Sequence, residues 1–280
     1  MGWLLDPLQY AFFRNGVIVA TVAGALCGLI GTFVVLRGMS YIGHGLSHAI
    51  FGGFAVSTVL AVNLFLGAGL WGFLSAMGIL AVTKRRAIGA DAAIGVITTA
   101  SYAFGVALLK AVKGPSKSFD ALLFGNVLGV GTAEIWRVVA VTVVVVAVVF
   151  LRYRRLLFTT FDPVVADASG VSGFRSDAIL MVMLSASVLV TMNVIGVTLV
   201  AAAIVLPPTV ARLLTDSFGR MLGLSTALGA VFGFVGMLAS FHIAGGEVPS
   251  GSMIVLVGSA AFVVALVAAG SSGRAAPAGH

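Results

Sequence analysis

The run GVIVATVAGALCGLIGTFVVL, Gly16 to Leu36, carries no charged side chain over the length that an α-helix needs to cross a hydrocarbon core about 30 Å thick. Inside such a core every backbone N–H and C=O must find its partner within the protein, so a run of this kind is a membrane helix. The rest of the chain repeats the pattern. Of its 280 residues, 60% are hydrophobic and 9% charged, with a mean hydropathy of +1.16, whereas soluble domains carry about 25% charged residues. A water-soluble fold is excluded. Further apolar runs cover approximately 46–66, 70–82, 91–112, 133–151, 178–194, 196–214, 222–243 and 253–269. They predict an all-α polytopic membrane protein of about eight to nine transmembrane helices. Residues 1–270 read as a single membrane domain, and the small, polar, proline-containing stretch 271–280 as a disordered tail.

The 16 Lys and Arg, which give a net charge of +7, sit in short clusters between apolar runs. That is the distribution of the positive-inside rule rather than of a nucleic-acid-binding face. Lys84-Arg85-Arg86 and Arg152 with Arg154-Arg155 have two spans between them, so both clusters fall on the cytoplasmic side and the N-terminus outside. Lys110, Lys113 and Lys117 then lie externally, a small violation. Cys27 is the sole cysteine, which excludes an intrachain disulfide and a Cys-rich metal framework. The N-terminal residues lack the positive start and small-residue cleavage pattern of a removable signal, so the first run is expected to stay as a span.

Three stretches carry chemistry. In LRGMSYIGHGLSHAIFGG, Leu36 to Gly53, His44 and His48 stand four apart and share one helical face. Imidazoles suit zinc, copper, iron and nickel, and ionisable groups in a membrane mark functional sites. Spacing alone leaves a second reading, neutral histidines hydrogen-bonded between helices, and no HExxH motif is present. In RYRRLLFTTFDPVVADASG, Arg152 to Gly170, Asp162 suits a helix cap, Pro163 the first helical position and Gly170 the stop. The resulting short cytoplasmic helix has an apolar side of Phe161, Val164 and Val165, suited equally to the bilayer surface or to a soluble partner's groove. FDALLFGNVL, Phe119 to Leu128, is too short to span and reads as a re-entrant turn, with Asp120 capping it. Asp91 reads as the cap of the span that follows it, and His242 as an interfacial histidine.

Other features bear on packing. Pro207 and Pro208 in VLPPTVARLL are expected to break or kink their helix. That leaves open which side Arg212 and Arg220 face. Among 36 glycines, Gly24 with Gly28 and Gly229 with Gly233 form small-xxx-small stripes, read chiefly as helix packing and secondarily as a dimer face. No GxxxxGK[ST] phosphate loop and no recognisable Ser-His-Asp set occurs. If the chain serves ATP-powered transport, another chain must hydrolyse the ATP. No carboxylate lies deep in a confident span, which weighs against a proton-driven carrier.

Six stretches in order, VLRGMSYIGHGLSHAIFGG, ADAAIGVITTASYAFGVALL, FDALLFGNVL, FDPVVADASGVSG, VIGVTLVAAAIVLPPTVARLL and EVPSGSMIVLV, resemble the membrane permease subunit of zinc/manganese-type ABC importers over nearly the whole chain. The resemblance implies a bacterial cytoplasmic-membrane permease that forms a homodimer around one pathway. Its implied partners are cytoplasmic ABC ATPase subunits and an extracytoplasmic metal-binding delivery protein. The FDPVVADASG helix resembles the family's coupling helix, with Asp162, Pro163 and Gly170 matching its motif. His48 matches the family's Ser-His element, while His44 stands where a carboxylate is more frequent. That departure implies a preference for zinc over manganese as the divalent cargo, on softness grounds, with no permanently bound cofactor. Pro208 departs from the small residue usual after the family's proline. Competing readings are a siderophore- or cobalamin-type chelate importer, a self-powered metal carrier and an intramembrane enzyme.

Overall fold

The computed structural model describes residues 9–84, 89–112, 130–244 and 248–271. The FDALLFGNVL element with Asp120, residues Arg85 and Arg86, and the tail lie outside the described residues. The described residues form ten helices: α1 (Ala11–Leu36), α2 (Ser40–Val59), α3 (Leu64–Lys84), α4 (Ala90–Val112), α5 (Thr132–Phe161), α6 (Pro163–Ala168), α7 (Gly173–Ile195), α8 (Val200–Leu214), α9 (Phe218–Ala244) and α10 (Ser250–Ser271). Seven of them, α1, α3, α4, α5, α7, α9 and α10, are long and apolar enough to cross a membrane.

The two other long helices differ because the protein encloses them. Most of α2 is buried, including Leu46, Ile50 and Phe51 and most of its Gly and Ser residues, while His44 is exposed. Helix α8 has 15 residues, about 22 Å at 1.5 Å per residue, which is shorter than the hydrocarbon core. It starts from a turn at Gly196 and Val197, both buried.

One boundary differs from the sequence expectation. A span at 46–66 was expected, but the helix runs from Ser40 to Val59 and turns at Ala61, whose φ is 54°. Asn63 then starts α3: its Oδ1 accepts from the N–H groups of Phe65 and Leu66 at 3.0 and 3.1 Å. A single capping Asn within an apolar stretch redirects the chain. Both histidines lie inside this helix, as their shared face requires.

The two glycine stripes pack against each other within the chain. A Cβ at Gly24 or at Gly229 would overlap the other's backbone carbonyl, and Gly28 meets the carbonyl of Ser225 in the same way. Only residues without a side chain allow α1 and α9 to approach so closely. Ser225 Oγ completes the contact by donating to the Gly28 carbonyl at 2.6 Å.

The prolines do not break the helix. Helix α8 continues through Pro207 and Pro208, and the interruption falls earlier, at Gly196, whose φ is +99°. Proline leaves the carbonyl four residues back without its helical donor. The Ile204 carbonyl, freed by Pro208, lies against Gly31 of α1, where a Cβ would overlap it. A packed neighbour thus accommodates the missing bond, as buried membrane helices allow.

Ring contacts fix the sidedness that the prolines left open. Phe218, between Arg212 and Arg220, packs on Phe33, Tyr153 and Phe161 with centroids 5.6, 5.8 and 5.9 Å away. Arg212 and Arg220 therefore share the end of the bundle that holds Arg152, Arg154 and Arg155, the cytoplasmic end by the positive-inside rule. At this end the Arg37 guanidinium pairs with Asp177 of α7 and donates to Thr159 and Thr160 of α5, both at 3.0 Å.

Candidate functional site

His44 and His48 stack edge to face on α2, ring centroids 4.4 Å apart, and His48 packs against the Tyr102 ring of α4 at 4.7 Å. Both histidines line a cavity of about 410 Å³ between α2 and α4, together with Tyr41, Asp91, Thr98 and Tyr102. The His44 side chain is exposed, while His48 is half-buried and its Nδ1 is buried without a hydrogen-bond partner. A buried imidazole nitrogen normally finds a partner, so a cavity-lining histidine with an orphan nitrogen is a candidate ligand contact.

Close helix approach builds this cavity wall. Helices α2 and α4 run parallel, and a Cβ at Gly45 would crowd Ile94 and Thr98. Two turns further on, Ser101 Oγ donates to the Ala49 carbonyl at 3.0 Å and accepts from Trp71 Nε1 at 2.7 Å, joining α2, α3 and α4 beside His48. Between the two histidines, Ser47 is fully buried and its Oγ lies 2.8 Å from the Val197 carbonyl. Helix α2 is thereby held against the turn where α7 passes into α8.

Two of these partners were not among the sequence candidates. Asp91 sits in the first turn of α4, as a cap would, but it also lines the histidine cavity. Tyr102 had not been singled out. The signal was present in the spacing 91, 95, 98, 102, which keeps one face of a 3.6-residue helix, but nothing local says that this face meets α2. Among the described residues, no group of three or more His, Cys, Asp or Glu side chains is placed to hold a metal ion. His242 is not brought to the pair; it belongs to α9, where its Nδ1 lies 3.0 Å from the Leu238 carbonyl.

The second candidate element has the geometry its residues suggest. Asp162 Oδ1 accepts from the Val165 N–H at 2.9 Å and Pro163 opens α6. Gly170, at φ +79°, closes it with bonds from Gly170 N–H to Asp167 and from Val171 N–H to Ala166, the paired pattern of a Schellman stop. Asp167 Oδ1 also accepts from Gly173 N–H at 2.6 Å, joining α6 to the start of α7. Phe161, Val164 and Val165 remain exposed.

Comparison with known proteins agrees with this arrangement. The model of the ABC 3 transport family matches residues 9–269. The manganese transport system membrane protein MntC of Listeria monocytogenes is 33% identical over 273 residues, covering 98% of this chain and 96% of that protein. A probable iron transport system membrane protein of Haemophilus influenzae is 29% identical over 264 residues, covering 94% and 96%. Among solved structures, PsaBC from Streptococcus pneumoniae in complex with Fab superposes with a TM-score of 0.85 at 31% identity, covering 95% of each chain. A family match over almost the whole length, joined to seven apolar spans and a bundle with one strongly basic end, leads to one conclusion: the chain belongs to the ABC 3 transport family and is a multi-pass permease subunit of a bacterial metal-ion ABC importer, a transport component whose ATPase is a separate chain.

Proposed function

We propose that His44 and His48 contact the metal ion in transit. The observation that carries this reading is that His48, whose buried Nδ1 has no hydrogen-bond partner, lines a cavity together with a second imidazole and the Asp91 carboxylate. A pathway must release its cargo. A structural zinc site, holding its ion by roughly 10 to 16 kcal/mol, would trap it, so a sparse ligand set suits transport better than a closed one. The permease works by alternating access, and two copies pair so that a second pair of histidines can reach the ion. An extracytoplasmic metal-binding protein delivers the ion from outside.

The cargo is a divalent transition metal, with zinc placed ahead of manganese because two imidazoles suit the softer ion better. Relatives named for manganese and for iron keep those metals as the alternatives. Cells lacking the permease are to be starved with a chelator, complemented, and resupplied with zinc, manganese and iron before elemental analysis. The intact chain is expected to restore zinc most strongly, and His44→Asp to shift the restored metal towards manganese. Manganese restored first by the intact chain would reverse the order, and no metal dependence at all would favour a chelate cargo.

Helix α6 is the coupling helix in this reading. Its cap and stop hold the exposed Val164 and Val165 in one orientation for the groove of the ATPase. Asp162→Ala with Pro163→Ala removes the cap and the preset first turn, worth about 1 kcal/mol for the cap alone. Transport-coupled ATP hydrolysis is expected to fall while docking of the delivery protein is unchanged. An equal loss of docking would refute the coupling role.

A further inference from the structure

Outside the histidine cavity, the cytoplasmic end carries a second built feature. Arg152 and Arg155 of α5 and Arg175 of α7 line a cavity of about 610 Å³. Among the described residues none of these three guanidinium groups has a carboxylate partner, whereas Arg37 nearby is paired with Asp177. Three arginines that line one concavity without a carboxylate partner among the described residues form an anion-binding surface.

The concavity does not end at the arginines. A second cavity of about 740 Å³ shares Arg152, Ala178 and Ile179 with it and continues along α3, α5 and α7 between Met77, Val141, Val144 and Val182. From Arg152 to Ala140 this trough follows α5 for about 18 Å at 1.5 Å per residue, close to the depth of one leaflet of a 30 Å core. Its outer lips, Val144 and Leu151, are 60% and 82% exposed, and Phe174 beside the arginines is exposed at interface height. A soluble anion would use the arginines and leave the trough unexplained. An acidic patch on the ATPase would do the same.

We infer that this continuous crevice binds an acidic phospholipid of the cytoplasmic leaflet, with the headgroup phosphate on Arg152, Arg155 and Arg175 and an acyl chain in the α3–α5–α7 trough. The charge pattern and the length both select that occupant, since anionic lipids concentrate at the basic cytoplasmic ends of membrane helices. Gly170 and Ser172 also line the headgroup end, so the lipid would brace the corner that follows α6.

The test uses the full chain purified with its ATPase. Retention of phosphatidylglycerol and of phosphatidylcholine is measured by native mass spectrometry after exhaustive detergent washing. Phosphatidylglycerol is expected to be retained roughly tenfold or more over phosphatidylcholine. Arg152→Gln with Arg155→Gln and Arg175→Gln should abolish that preference. The matching triple Lys variant should keep most of it, and Val182→Trp, which fills the trough without touching charge, should also reduce retention. Millimolar glycerol phosphate or inorganic phosphate should not displace the lipid. Unchanged preference in the Gln variant overturns the proposal. So does efficient displacement by free phosphate, which would mark a soluble-anion site, or loss of ATPase co-purification with lipid retention intact, which would assign the arginines to the protein partner.

Discussion

His48→Ala is expected to lower metal accumulation to the level of cells that lack the permease, while the variant remains inserted and monodisperse. The size of the effect follows from position. His48 is half-buried between His44 and Tyr102, lines the cavity and carries an unpartnered Nδ1. Removing a group that merely orients a metal ligand already costs roughly tenfold to a hundredfold, so losing a contacting imidazole should cost at least as much. The packing alternative makes the opposite forecast. If His48 only fills the space beside Tyr102, Ala leaves a void and lowers stability, but the residual folded protein transports normally. His48→Gln, close in volume, separates the two: uptake stays lost if the imidazole contacts metal and returns if packing is its role. Elemental analysis at matched membrane levels reads the outcome, and wild-type accumulation by His48→Ala would sink the assignment.

The second large effect is expected at the Arg37–Asp177 pair. Arg37 leaves α1 three residues before α2 begins, and its guanidinium is shared among Asp177 at the start of α7 and the hydroxyls of Thr159 and Thr160 at the end of α5. The side chains are only 9% and 17% exposed, so water can do little to replace a lost partner. Breaking a buried pair by removing one member costs up to about 3 to 5 kcal/mol, because the remaining charge loses its ion-pair partner. Arg37→Met and Asp177→Asn should therefore each lower thermal stability in detergent sharply. The double variant should lose less than the sum of the two singles, since it strands neither charge. Additive losses would show that the two side chains are not energetically coupled. The site has functional reach as well: it joins the α5 end that leads into α6 to the helix entrance that leads to His44. ATP hydrolysis without uptake in the milder variant is the expected sign of that linkage.

Comparing particular residues shows what was legible. Asp162, Pro163 and Gly170 act through local backbone geometry, a cap, a fixed φ and a left-handed stop, and such chemistry is encoded within a few residues. They were readable in order and in role as shapers of α6. The helical pairing of His44 and His48 was readable for the same reason, since four residues span about one turn. Apart from the boundary set by the Asn63 cap, the misreadings were non-local. Pro207 and Pro208 look like a break until Gly31 of another helix is seen against the Ile204 carbonyl. Asp91 looks like a cap until α4 is laid parallel to α2, and Arg175 carries no message until it meets Arg152 and Arg155.

The sequence by itself determined the solvent of this protein, its helical class, its basic end and its family resemblance, because transfer into lipid and backbone hydrogen-bond satisfaction act on each segment separately. Tertiary structure decided which polar residues share a space. It buried most of α2 and much of the short α8, directed the glycine stripes of α1 and α9 at each other, and set His48, whose Nδ1 has no partner, in the wall of a cavity. Those outcomes depend on contacts between helices distant in sequence, where packing selects one arrangement out of many that the same apolar pattern permits.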